Sequence, residues 1–162
     1  MKRILAAIAI FLAASSAAMA QDAAQIARVQ AGQSCPGCNL FQAELAYRDL
    51  PDLDLSGSRL RQANLALSTM NRTNFDNANL SVANLFGARF TRASFRNVDF
   101  SDAILVGAYF GSANLSGARL ANSNISGAEM ATTIGLTQAQ LNQACGDTST
   151  QLPAGLHVPS CR

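Results

Sequence analysis

A period of five runs through most of this chain and leaves little freedom in what it can fold into. From Cys38 to Thr132 the sequence divides into consecutive fives without a gap, and the third residue of each is Leu, Phe, Met or Ile, at every multiple of five from Leu40 to Met130. That is nineteen matches in a row with no insertion. An α-helix at 3.6 residues per turn would scatter these side chains around its circumference, so the segment is not helical. Two residues before each large apolar position stands a small one, as at Ala43, Ala63, Ala78, Ala83, Ala88, Ala93, Ala103, Ala108, Ala113, Ala118 and Ala128. On an extended backbone, positions two apart share a face. The small and large residues therefore point inward, and the Asn, Asp or Arg between them points out. The remaining two residues, often Ser-Gly, Gly-Ser or another polar pair, must turn a corner.

A winding chain with short straight sides cannot bury its inner face alone, so successive coils must stack. The tandem pattern A-[ND]-L-x-x, as in ANLAL, ANLSV, ANLFG and ANLSG, resembles the pentapeptide-repeat family. That resemblance implies an all-β fold, a right-handed quadrilateral β-helix with about twenty residues per coil. On that spacing Phe75 would stack on Phe95 and Phe90 on Phe110, with Asp52 beside Arg72 and Asp76 beside Arg96. Arg48 and Leu53 depart from the pattern by filling inward positions that elsewhere hold a small residue. A buried unpaired guanidinium is costly, so Arg48 is expected to swing outward.

The first twenty residues carry a different signal. Met1-Lys2-Arg3 is a basic start, Ile4 to Ala14 is apolar, and Ala18-Met19-Ala20 is a small-x-small cleavage site. This is the pattern of a secretory signal peptide cleaved before Gln21, leaving a periplasmic or secreted protein with no stable membrane insertion. Without Lys2 and Arg3 the chain has ten basic and ten acidic residues, all the bases being arginine. A neutral chain has no electrostatic pull toward nucleic acid.

The repeats need closed ends. Before them, Asp22 to Gln33 reads as a short amphipathic helix with Ile26 and Val29 on its apolar face. After them, Thr137 and Gln140 form a capping box, with Leu136 just outside the helix, Leu141 on its inner face and Gly146 as the stop. An irregular tail follows to Arg162. The organisation is thus a signal peptide over 1–20, an N-terminal cap over 21–37, repeats over 38–132 and a C-terminal cap over 133–162. The CPGC motif, the GLTQAQLNQACG segment and the late cysteine also resemble an exported bacterial subset of the family.

Four cysteines in an exported chain favour disulfides. With the coil length that the family resemblance implies, the two ends of the stack lie ~23 Å apart at ~4.8 Å per coil, beyond the ~7 Å that a disulfide tolerates between Cα atoms. The expected bridges on that footing are Cys35–Cys38 and Cys145–Cys161. Cys38, at an inward small position, is expected to be largely buried. C-P-x-C also resembles the motif of thioredoxin-like enzymes, which keeps a redox role for Cys35 and Cys38 open as an alternative. That chemistry relies on a helix N-terminus to lower the first thiol's pKa, and here the second cysteine runs into the repeats.

No constellation of catalytic residues stands out. There is one histidine, His157, no tryptophan and no glycine-rich phosphate loop, so the expectation is no enzymatic activity, no cofactor and no metal. The best surface candidate is a cluster of Arg72, Arg89 and Arg92 on the third side of the middle coils, with Arg96 around the corner, suited to a carboxylate or phosphate. The function expected is that of a rigid scaffold or interaction module for a protein or envelope component, as a monomer or end-to-end dimer. A lower-ranked alternative, implied by the family, is mimicry of DNA toward topoisomerases, which needs a strongly acidic surface that this neutral chain lacks.

Overall fold

The computed structural model describes residues 21–162. The leader read over 1–20 lies outside the described residues. From Asn39 onward, parallel β-bridges join residues twenty apart in four columns, beginning at Asn39↔Arg59, Glu44↔Asn64, Asp49↔Thr69 and Asp54↔Asn74. The chain is a four-sided solenoid, and its sides are numbered one to four in that order. Each side contributes a single bridging residue per coil, so no side is long enough to make an extended strand.

Each five-residue unit places its backbone bonds in the same way. At the second unit of side one, Leu60 donates to the Asn79 carbonyl (2.7 Å), Gln62 donates to that of Ser81 (3.0 Å), and Asn79 donates back to that of Ser58 (2.9 Å). The corner is a tight turn in which Ala63 donates to the Leu60 carbonyl (3.0 Å). Its second residue is left-handed, with φ 60° at Gln62, as a type II turn requires. One amide per unit, that of the first turn residue, receives nothing from this scheme. The Asn or Asp before the large apolar residue supplies the acceptor: Asn64 Oδ1 takes the Ala66 amide (3.2 Å), Asn84 Oδ1 that of Phe86 (3.1 Å) and Asn124 Oδ1 that of Ser126 (2.9 Å). Recurrent Asn and Asp are therefore structural acceptors as well as outward polar groups.

Inside, the large and small positions are buried from Leu40 to Met130, Arg48 excepted. Serines at small positions satisfy their hydroxyls on turn carbonyls, Ser68 on Leu65 (2.7 Å) and Ser123 on Leu120 (2.8 Å). Phe75 and Phe95 stack with centroids 4.9 Å apart, and Phe90 and Phe110 at 5.3 Å. Arg48 does swing outward, where its guanidinium lies 3.4 Å from the Gln30 carbonyl, while Leu53 is buried.

The N-terminal helix, α1 (Ala23–Gln30), is shorter than the Asp22–Gln33 expected, with Asp22 as its N-cap. It buries Ile26 and Val29 against the first coil. Its glutamines occupy the free edge of that coil: Gln25 Oε1 accepts from the Asn39 amide (2.6 Å), and Gln30 Nε2 donates to the Glu44 carbonyl (2.8 Å). The repeat register also starts earlier than Cys38. Cys35 takes the inward large position of a preceding unit, its amide donating to the Asp54 carbonyl (2.9 Å), with Gly37 as the left-handed corner residue.

At the other end, α2 (Gln138–Leu141) has the capping box of Thr137 and Gln140 and buries Leu141. It ends at Asn142 and not at Gly146, which instead pairs with Ser160. The tail is more regular than expected. Cys145 pairs with Asn124 and Gln151 with Glu129, so it forms a partial last layer on sides two and three.

Candidate functional site

The three arginines of the third side occur where the repeat puts them. Arg89 is a bridging residue, whereas Arg72 and Arg92 are left-handed corner residues one coil apart, with φ 58° and 57°. Their environments differ. Arg72 makes a two-pronged ion pair with Asp52, both contacts 2.6 Å. That hydrogen bond holds the Asp52 carboxyl below its ordinary value. Arg89 lies over the Tyr109 ring, Cζ 5.0 Å from the centroid. The Tyr109 side chain in turn lies across Gly111, where an added Cβ would fall 2.4 Å from its hydroxyl. Around this face the ion pairs are Arg72–Asp52 and Arg96–Asp76.

Arg96, on the fourth side, is committed to the fold. Its backbone amide, Nε and Nη2 all donate to Asp76, which also receives the Ser94 hydroxyl. Burial pushes the Asp76 carboxyl up, but the bonds from Arg96 and Ser94 overcome it and leave the pKa lowered. The structure thus brings Arg72, Arg89 and Arg92 onto one face, with the charge of Arg72 already answered.

Both cysteine pairs are joined, Cys35–Cys38 with Cα atoms 5.5 Å apart and Cys145–Cys161 at 4.8 Å. Contrary to the expectation for Cys38, it is Cys35 that is buried, at 1% exposure, and Cys38 is partly exposed. The reason is the earlier register: Cys35 fills a large inward position and its disulfide spans the corner. The second bridge closes the tail over the end of the solenoid, where Asp147 Oδ1 accepts the Gly127 amide (3.0 Å) in place of a backbone carbonyl.

A hollow of about 370 Å³ opens beside this tail, lined by Asp147, Thr150, Leu152, Leu156, His157 and Ser160 among others. Bonds from Ser149, Gly127 and Thr150 converge on one carboxylate oxygen of Asp147, Oδ1, and the Ser149 hydroxyl leads in lowering its pKa, which weakens it as a base. Among the described residues no group of three or more His, Cys, Asp or Glu side chains could hold a metal ion. No helix among them is long and apolar enough to cross a membrane.

One surface escaped the reading of the sequence. Of the six large apolar side chains exposed among the described residues, Tyr47, Leu67, Val82, Phe86 and Ile104 belong to side two or its corners. The signal lay in the outward positions of every fourth pentapeptide, AELAY, ANLAL, ANLFG and AILVG. It shows only after the fives are grouped by side.

Coils of this kind, built from five-residue sides around an apolar interior and closed at both ends, define an all-β repeat solenoid. The chain is similar to the pentapeptide-repeat family: residues 49–120 match the family model described as pentapeptide repeat region. Among solved structures it is similar to HetL, a pentapeptide repeat protein involved in heterocyst differentiation regulation from the cyanobacterium Nostoc sp. strain PCC 7120, at 25% identity and a TM-score of 0.42. That match covers 79% of this chain and 60% of HetL, so the chain spans less than two thirds of HetL's length. A pentapeptide repeat protein from the Arabidopsis thaliana thylakoid lumen is 27% identical over 75% of this chain and 83% of its own, with a TM-score of 0.30. QnrB1, a plasmid-mediated fluoroquinolone resistance protein, is 15% identical over 72% of this chain and 85% of its own, with a TM-score of 0.32. No curated protein matches the chain.

Proposed function

We propose that this protein is a non-enzymatic, exported scaffold that presents its outer faces to a protein of the cell envelope. The observation that carries the reading is the commitment of its polar side chains to the coil itself: the Asn and Asp column residues accept turn amides, and Asp52, Asp76 and Asp147 are each bonded within the fold. A fold that spends its polar groups in this way offers shape and surface more than reacting groups. Two closed disulfides at opposite ends are consistent with an oxidising compartment, as the leader sequence requires. Caps on both ends favour a monomer over end-to-end pairing. The right-handed sense of the coil, implied by the family, is part of the same reading.

Burial of Cys35 disfavours the thiol-disulfide alternative, because a nucleophilic thiol must be reachable. The neutral surface likewise gives no support to mimicry of DNA.

Site-specific photo-crosslinking of the protein expressed with its leader tests the proposal, together with intact mass before and after reduction. The expected result is a processed, doubly disulfide-bonded protein that cross-links to a discrete envelope partner. A cytoplasmic, unprocessed protein, or one that turns over thiols in an insulin-reduction assay, would contradict it.

A further inference from the structure

Side two of the solenoid differs from the other three in carrying almost no charge. Its outward residues run Glu44, Ala46 and Tyr47 in the first coil, then Asn64, Ala66 and Leu67, then Asn84, Phe86 and Gly87, then Ile104, Val106 and Gly107. Phe86 is 47% exposed and Ile104 46%, one coil apart, with Val82 at the near corner. The bridging residues of this side repeat at ~4.8 Å per coil, so these side chains form one continuous apolar strip.

The far corner of this side explains what the strip adjoins. Its left-handed position holds Gly87, Gly107 and Gly127 in successive coils, with φ between 61° and 65°. Glycine leaves the corner bare, and Leu67 from the coil before folds across it, its Cδ2 2.7 Å from where a Gly87 Cβ would stand. Apart from Leu67, itself apolar, no side chain at this corner stands between Phe86 and Val106 and the start of side three at Arg89 and Tyr109. Arg89 and, at the next corner, Arg92 have no acidic partner among the described residues, whereas Arg72 beside them is neutralised by Asp52. Exposed apolar surface next to uncompensated positive charge asks for a ligand of matching pattern.

We propose that this bare corner between sides two and three docks a segment of a partner protein that carries acidic side chains next to large apolar ones. The apolar groups lie on Leu67, Phe86, Ile104 and Val106, and the carboxylates meet Arg89 and Arg92. Arginine forks pair with carboxylates, and apolar anchors supply most of the affinity at such surfaces. The assignment rests on the scaffold reading above and adds to it the face used and the chemistry recognised.

The test pans random peptides displayed on phage against the oxidised chain from Gln21, then measures one enriched peptide, synthesised, against two variants. Phe86→Ser with Ile104→Thr removes the apolar anchors. Arg89→Glu with Arg92→Asp reverses the charge, using residue types that the same positions already hold at Glu129 and Asp52. Unchanged circular dichroism and melting confirm that each variant folds.

The expected result is enrichment of peptides with acids beside aromatic or aliphatic residues, with affinity falling by about tenfold or more in each variant. Binding should also weaken with added salt. Peptides without acidic bias, binding to either variant as tight as to the wild-type protein, or no enrichment would overturn the assignment. Stronger retention on phosphatidylglycerol vesicles than on any peptide would also overturn it. An envelope partner that cross-links equally to the wild-type protein and both variants would leave the scaffold reading standing while removing this surface from it.

Discussion

Among the described residues, thirteen non-glycine residues occupy the left-handed region at the second turn position, Leu67, Arg72 and Val82 among them. Outside glycine, Asn and Asp this conformation is disfavoured, and a β-branched side chain bears it worst. Val82, at φ 60°, also interrupts a polar column: Gln42 donates to Gln62 below it, and Asn122 to Asp102 above it. Val82→Asn relieves the backbone and completes that column, so it is expected to stabilise the protein by about 1 kcal/mol in urea titration. A loss of stability would show that Val82 is held by apolar packing on side two. Asp76 is the converse case, a carboxylate the fold cannot spare. Burial raises its pKa and the Arg96 and Ser94 bonds more than offset this, so the folded value is depressed. A depressed carboxylate stabilises the fold above its unfolded pKa of ~3.9, and that contribution is lost as pH falls through the lower folded value. Asp76→Asn is therefore expected to cost about 1–2 kcal/mol near neutrality. It should also flatten the decline of stability between about pH 4 and the lower folded value, read from melting temperatures across that range.

The caps work by two kinds of contact, and each can be removed separately. In α1, Ile26 and Val29 cover the apolar end, while Gln25 and Gln30 occupy backbone groups of the first coil that would otherwise offer an edge for pairing. Val29→Asp sets a charge against the core and is expected to cost at least about 3 kcal/mol. Gln25→Ala with Gln30→Ala should cost only about 2 kcal/mol, at ~1 kcal/mol per bond, but should expose the edge. Light scattering then discriminates: the double glutamine variant is expected to self-associate at concentrations where wild type stays monomeric, and a monodisperse variant would refute an edge-guarding role. At the C-terminus, Cys145→Ser with Cys161→Ser opens a loop with sequence separation 16 and is expected to lose about 3 kcal/mol, seen as a lower urea midpoint. Both helices were legible in the sequence because a stripe and a capping box are local signals. The partial last layer made by Cys145 and Gln151 was not. It joins the ladder one and two residues out of the twenty-residue step, and only a tertiary contact sets that offset.

At the level of the whole molecule, the period of five specified the solenoid because the units repeat the same inward pair from Leu40 to Met130, with Arg48 the one exception. Pairings twenty apart, such as Asp52 with Arg72 and Phe75 with Phe95, followed once the coil length was supplied. Two features stayed hidden. The apolar strip of side two depends on which side a residue occupies, and one unit read alone carries no side; the early register of Cys35 was masked because its large inward position holds Cys where later units hold Leu, Phe, Met or Ile. The same regularity governs stability, because each coil touches only its neighbours and the fold behaves as a one-dimensional array of coupled layers. Coupling is strongest in the middle, where Phe95 lies against Phe75 (4.9 Å), Phe90 (5.1 Å), Phe100 (5.2 Å) and Phe110 (5.6 Å). Phe95→Ala leaves a cavity at that junction and is expected to cost about 4 kcal/mol. Its larger consequence is loss of cooperativity. With the central interface weakened, the layers held by α1 and those held by the Cys145–Cys161 tail no longer need to unfold together. Urea titration followed by circular dichroism should broaden from one transition to two, and hydrogen exchange should lose protection first at the amides of residues 93–97. A single transition of unchanged steepness, shifted only in midpoint, would mean that the caps and not the phenylalanine stack hold the two halves together.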